Sequence, residues 1–226
     1  EFLQMKSKKV IPDFDKHPNK EEYLNALKAI NQINSSNSDS KVFELQKALN
    51  LMGDDGSNII PFQDVLEIDL LPVKAYWFSD GLFITEAIDK SLIGHEIKKI
   101  NEVSINNLFE ILQPYINTDN EHFRKKRFPI YAFMPRLLKH VGVGNSASEI
   151  DLTLENGKQV RTKAISTLEY VKLEKQAHKT LEIVKVNKDY ANRNYWKTYL
   201  NNSSTLFVQL KKIEDQKDGD SFKSFV

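Results

Sequence analysis

Residues 71–102 read LPVKAYWFSDGLFITEAIDKSLIGHEIKKINE, and the reading of this stretch decides the fold. Val73-Lys74-Ala75-Tyr76-Trp77-Phe78 is rich in aromatic and β-branched residues, as is Leu82-Phe83-Ile84-Thr85. Ser79-Asp80-Gly81 between them supplies turn chemistry, so the pair is expected to form a β-hairpin. Gly94 introduces a third strand, Glu96 to Ile100. Its apolar residues lie three apart instead of alternating, so that strand rests on its context. Asn101-Glu102 makes a turn, and Ser104 to Leu112 reads as a helix. Ser104 can cap it, with Asn107 in the position where a capping box would place Glu or Gln.

Toward the N-terminus, Tyr23, Leu24, Ala26, Leu27 and Ile30 fall three and four apart and predict an amphipathic helix over 21–33. The polar run 34–40 separates it from a second short helix over 41–51, with Val42, Leu45, Ala48 and Leu49 on one face. Helices this short are marginal in isolation, so both must pack on something. Toward the C-terminus, Thr118 with Glu121 three residues on is a capping box. The helix it opens is expected to break at Pro129 and to resume near Met134, with Pro135 at its start and Gly142 at its end. Ser148 to Leu154 alternates, Asn156-Gly157 turns the chain and Val160 to Ile165 returns, a second hairpin. Beyond it, 180–186 reads as extended or as a linker with some ordered structure, 190–199 is aromatic, and Leu206-Phe207-Val208-Gln209-Leu210 is a strong strand. Ser221 to Val226 reads as the first turn of a helix.

The order strand, Asp-Gly turn, strand, then Leu92 to Val103, then a helix resembles the PDZ-like domain of the S41 peptidases, the tail-specific or carboxy-terminal processing protease family. The similarity is nearer to a bacterial branch with a Tyr-Trp-Phe strand before the Asp-Gly turn. It continues through Leu112-Gln113-Pro114-Tyr115-Ile116, Asp119-Asn120-Glu121, Asn194-Tyr195-Trp196 and Thr205 to Leu210. The resemblance implies an α+β fold in three parts. Residues 1–60 form a small helical region, and 61–166 a PDZ-like β-rich domain with a helical insertion at 118–141. Residues 167–226 form a linker and the start of an α/β serine-protease core. On this reading the chain is the leading part of a longer protein. Leu206 to Leu210 is then a strand without its proper neighbours, its edge and apolar side chains covered by another part of the chain or by another chain.

The resemblance also implies a function: recognition of extended peptides or protein C-termini for a serine peptidase whose nucleophile and lysine base lie downstream. A PDZ-like sheet takes its ligand as an added strand and holds the terminal carboxylate with backbone N–H groups of a turn. Trp77 and Phe83 are the expected groove residues, and the turn at Asp80-Gly81 or the loop at Gly94 the expected carboxylate donor. Gly53, Asp54 and Ser57 match a Gly-Asp-x-His-Ser motif of the family, but Gly56 stands where the histidine would be. Glycine transfers no proton, and this departure points to a second reading, a non-catalytic scaffold of peptidase ancestry.

Composition bounds the chemistry. The 226 residues are 40% hydrophobic and 28% charged, and the formal charge of +1 gives no general attraction to nucleic acid. No apolar run reaches the length needed to span a membrane. The absence of cysteine removes thiolate zinc sites, disulfides and a cysteine nucleophile. It fits an extracytoplasmic or secreted bacterial protein and a cytoplasmic one alike. The five histidines, His17, His95, His122, His140 and His178, show no ligand spacing, so no metal and no cofactor is expected. Ser38-Asp39-Ser40-Lys41 has the Ser-x-x-Lys spacing of some acyl-transfer enzymes but sits in a loop of serines and asparagines. Arg124-Lys125-Lys126-Arg127, with Arg136 and Lys139, is read as a solvated helix face.

Overall fold

A computed structural model of the chain describes residues 14–34, 38–53, 68–118, 120–170, 193–199, 204, 206–216 and 221–225. The fold is mixed α+β, with helices and antiparallel sheets. The chain forms two compact units, Glu1–Ala177 and His178–Val226.

In the first unit, helix α1 (Lys20–Gln32) buries Tyr23, Leu27 and Ile30, the face its periodicity predicts. It packs on α2 (Ser38–Asn50), and Asn19 Nδ2 donates to Leu51 O at 2.7 Å, tying the start of one helix to the end of the other. Helix α2 has two apolar faces rather than one. Ala48 joins Phe14, Tyr23, Leu27, Ile30 and Met52 in a small core, whereas Phe43, with Val42 beside it, enters the main core of the strand region. The helical N-terminal segment is therefore built into the same compact unit as the strands, because α2 is apolar on both sides.

Strands β1 (Val73–Trp77) and β2 (Leu82–Ala87) form the expected hairpin. Its register places Tyr76 opposite Phe83 and Trp77 opposite Leu82, and a bulge at Thr85 shifts the far end. Strand β3 (Ile97–Ile100) turns through Asn101 and Glu102, both at positive φ (45° and 67°), into β4 (Val103–Ser104). Two left-handed residues in a row are what a type I′ hairpin turn requires. Helix α3 (Ile105–Leu112) follows, its Phe and Leu positions buried, and Ser104 Oγ accepts from Asn107 N–H at 3.4 Å as expected. Strands β5 (Glu149–Leu154) and β6 (Gln159–Lys163) complete a four-stranded sheet in the order β4-β3-β5-β6.

Two short bridges make these sheets a ring. Phe83 pairs with Glu96, joining β2 to the start of β3. Leu70 pairs with Ile165, joining the chain before β1 to the chain after β6. Leu71, Val73, Leu82, Ile84, Ile97, Ile100, Ile150, Leu152 and Leu154 fill the interior together with α3.

The segment 118–141 differs from expectation in two respects. Helix α4 (Glu121–Ala132) is capped by Asn120, whose Oδ1 accepts from Phe123 N–H at 2.9 Å. Thr118, the residue expected to cap, is buried and is engaged with the backbone of Asn120 instead. Nor does Pro129 break the helix. It lies in the last turn, where its missing N–H removes one bond only, and the Phe133 N–H still closes onto Pro129 O at 3.0 Å. Helix α5 (Pro135–His140) then starts at Pro135 and ends before Gly142, as read from sequence.

In the second unit, β7 (Tyr195–Tyr199) pairs antiparallel with β8 (Leu206–Leu210), so β8 does have a neighbour. Its aliphatic face is nevertheless uncovered: Leu206, Val208 and Leu210 are 45%, 47% and 55% exposed. A single turn, α6 (Phe222–Phe225), sets Phe222 and Phe225 against Tyr195 at 5.3 and 4.8 Å. The extended reading of 180–186, and Asp54, Gly56 and Ser57, lie outside the described residues.

Candidate functional site

The β1–β2 hairpin presents the only cluster of exposed aromatic rings among the described residues of the first unit. Strand alternation sends Tyr76 and Phe78 to one face, and the register adds Phe83 from β2. The Tyr76 and Phe78 rings lie 4.8 Å apart, and Phe78 meets Phe83 edge-on at 5.9 Å. Tyr76 and Phe78 are 49% and 47% exposed, with Phe83 half-buried between them and the sheet. Lys74 and Glu86 close the far end of this face with an ion pair at 3.0 Å.

Trp77 and Phe83, the two groove residues expected from sequence, lie on opposite faces. Trp77 shares its face with buried Leu82 and packs against Phe109 of α3 and Phe128 of α4, both at 5.2 Å, with Lys125 Nζ over its ring at 5.6 Å. It is part of the core rim. Tyr76 and Phe78 take the exposed position instead, with Leu82 and Ile84 buried on the other face.

The two expected carboxylate donors differ. The Gly94 N–H donates to Ile84 O at 2.8 Å and the Ile84 N–H to His95 O at 2.9 Å, so the outer edge of β2 is already occupied. Gly94 serves the chain's own backbone, at a φ of +88° that suits glycine. At the other turn, Phe78 N–H donates to Gly81 O at 2.8 Å, and the N–H groups of Ser79 and Asp80 carry no hydrogen bond. The Glu96 carboxylate lies directly against Gly81, where any side chain would collide with it. Lys98 Nζ pairs with that carboxylate at 2.7 Å. A ligand carboxylate here would meet both Asp80 and Glu96. Behind the turn, Glu155 accepts from Glu96 N–H at 2.8 Å and contacts His95 Nδ1 at 2.6 Å. The His95 contact holds the Glu155 carboxyl below the usual range.

Each cation of the α4 basic run makes a contact within the chain. Arg124 Nη2 donates to Thr118 O at 3.4 Å, and Arg127 Nη1 donates to Asn117 O. Lys125 pairs with Glu121 at 2.8 Å, and Lys126 lies over Phe123 at 5.4 Å. Arg136 grips Asp39 with two nitrogens, Nε to Oδ2 at 2.6 Å.

Ser40, His140 and Glu44 form a contact that sequence reading missed. His140 Nδ1 lies 3.3 Å from Ser40 Oγ, and its Nε2 lies 2.8 Å from Glu44 Oε1. Tyr115 OH donates to the same Glu44 oxygen at 3.3 Å. The three types are those of an acyl-transfer relay, but Ser40 and Glu44 stand one turn apart on α2 and the imidazole spans both. Phe43 and Tyr115 flank the ring at 5.3 and 6.1 Å. With Asp39–Arg136, the arrangement fastens α5 onto α2. Among the described residues no group of three His, Cys, Asp or Glu could hold a metal ion, and no helix is long and apolar enough to cross a membrane. Compared with known proteins, the chain matches no family model and no curated sequence closely enough to place it in a family.

Proposed function

We propose that the first unit recognises extended peptide segments, as the substrate-binding portion of a peptidase of the S41 type. The observation that carries the recognition step is the exposed Tyr76–Phe78–Phe83 cluster beside the Ser79-Asp80 turn. Monomeric surfaces rarely expose adjacent large aromatics without a use for them, and rigid rings bind apolar side chains at low entropic cost. The Ser79 and Asp80 N–H groups stand ready for main-chain carbonyls of the ligand.

The charges set the ligand's character. Asp80 and the Glu96 carboxylate repel a terminal carboxylate at this turn, so the segment bound is apolar or aromatic with neutral or basic flanks. C-terminal capture contributes little, and the groove is one of side chains rather than of an open sheet edge. Affinity is expected at about micromolar or weaker, because the surface is shallow. The peptidase assignment rests on the resemblance alone, and an intact downstream serine and lysine would distinguish it from the scaffold reading.

Calorimetric titration with hydrophobic-ended peptides tests recognition, each peptide matched with its C-terminal amide. The expected result is binding that the amide form retains and that Tyr76→Ala and Phe78→Ala abolish. Loss of binding on amidation would move the ligand's carboxylate to another place. No binding across a broad panel would overturn the reading.

A further inference from the structure

Strands β6 and β8 differ in what they offer to an added strand. The outer edge of β6 carries Arg161 and Lys163, charges that discourage the addition of another strand. The outer edge of β8 carries none: Leu206-Phe207-Val208-Gln209-Leu210 has no charge, no proline and no bulge. Lys211 N–H donates to Asn194 O at 2.7 Å, which fixes the parity of the hairpin. The odd residues of β8 therefore bond β7, and the N–H and C=O groups of Leu206, Val208 and Leu210 face away from it. These are the residues whose side chains are also exposed. A two-stranded sheet of this kind is marginal in water.

We propose that β8 pairs with β8 of a second copy of the chain, antiparallel about Val208, to give a four-stranded sheet β7-β8-β8-β7. The sequence of the strand is self-complementary in that register. Val208 meets its own counterpart, Leu206 meets the partner copy's Leu210, and Phe207 meets its Gln209. Two residues beyond the strand ends, Lys212 meets Ser204, so no like charges oppose each other there. Leucine and valine pairs across the new seam remove apolar surface from water, and the outward N–H and C=O groups gain partners. A two-fold axis through Val208 closes the assembly at two copies.

The absence of cysteine makes the test clean. In the proposed pairing the two Val208 Cα atoms are about 5.5 Å apart, within disulfide range. The full chain is expected to show a concentration-dependent monomer–dimer equilibrium by light scattering. Val208→Cys should form a disulfide-linked dimer on oxidation, and Ile213→Cys should cross-link far less. Val208→Lys, at an exposed edge position that accepts lysine, should raise the dimer Kd about tenfold or more, with melting unchanged at concentrations where both proteins are monomeric. A strictly monomeric protein at high concentration would overturn the proposal. So would a dimer insensitive to Val208→Lys, or equal cross-linking at positions 208 and 213.

Discussion

His140 Nε2 lies 2.8 Å from Glu44 Oε1, joining two helices through residues 96 positions apart. The same carboxylate oxygen receives the Tyr115 hydroxyl. Glu44→Ala therefore strands two partly buried polar groups at once and is expected to cost about 1–3 kcal/mol in urea unfolding. Lys47, whose Nζ is 3.8 Å from Glu44 at the exposed rim, is the control. Lys47→Ala should change stability by no more than about 0.5 kcal/mol. Equal effects of the two substitutions would show that the seam between α2 and α5 holds by apolar contact alone.

The turn between β3 and β4 carries strain in one residue and tertiary bonds in the other. Asn101 Nδ2 donates to Val143 O at 3.1 Å, and its Oδ1 accepts from Asp151 N–H at 2.9 Å. Asn101→Ala loses both and leaves an alanine at positive φ, an expected loss of about 2–3 kcal/mol. Glu102 at a φ of 67° has only exposed surface contacts, so Glu102→Gly should stabilise the protein by about 0.5–1 kcal/mol. Thermal unfolding of the two variants should move Tm in opposite directions.

Alkaline stability follows from two tyrosines. Burial pushes the Tyr131 phenol up to about 12, with Arg127 pulling partly back. Burial, then the Glu44 charge, raises Tyr115 as well. Both folded-state values lie above the unfolded one near 10, so the unfolded chain ionises first. Their stabilising contribution is complete below pH 10 and is lost as pH rises through the folded values. Unfolding free energy should fall steeply between pH 10 and 12, and Tyr131→Phe should flatten that slope. An unchanged slope in the variant would show that other groups control alkaline unfolding.

Ring position separates stability from recognition in the β1–β2 hairpin. Trp77→Ala removes contacts to Phe109 and Phe128 and is expected to cost about 2–4 kcal/mol. Tyr76→Ala and Phe78→Ala, on the outer face, should leave the melting temperature nearly unchanged while removing peptide binding. If Tyr76→Ala destabilises the protein as much as Trp77→Ala, the outer cluster is structural.

The elements themselves were legible in the sequence because their causes are local. The hairpin at Ser79-Asp80-Gly81, the Ser104 cap, the Asn156-Gly157 turn and the helical face of Tyr23, Leu27 and Ile30 each depend on residues a few positions apart. The mixed α+β class followed from their order. Local cues failed where two elements competed for one residue. Thr118 fits a capping box, but Asn120 caps the helix while Thr118 is buried among neighbours that sequence spacing does not place.

Tertiary structure alone decided which face of each strand meets solvent. Period-two alternation offers Trp77 and Tyr76 equally, and only the packing of α3 and α4 against β1 turns Trp77 inward and leaves Tyr76 out. It also decided that Gly94 bonds Ile84 instead of a ligand, and that Ser40, His140 and Glu44 meet. These are non-local pairings, fixed by the register of distant strands and the docking of helices. A one-residue change of register would exchange the two faces while leaving every local propensity as it is.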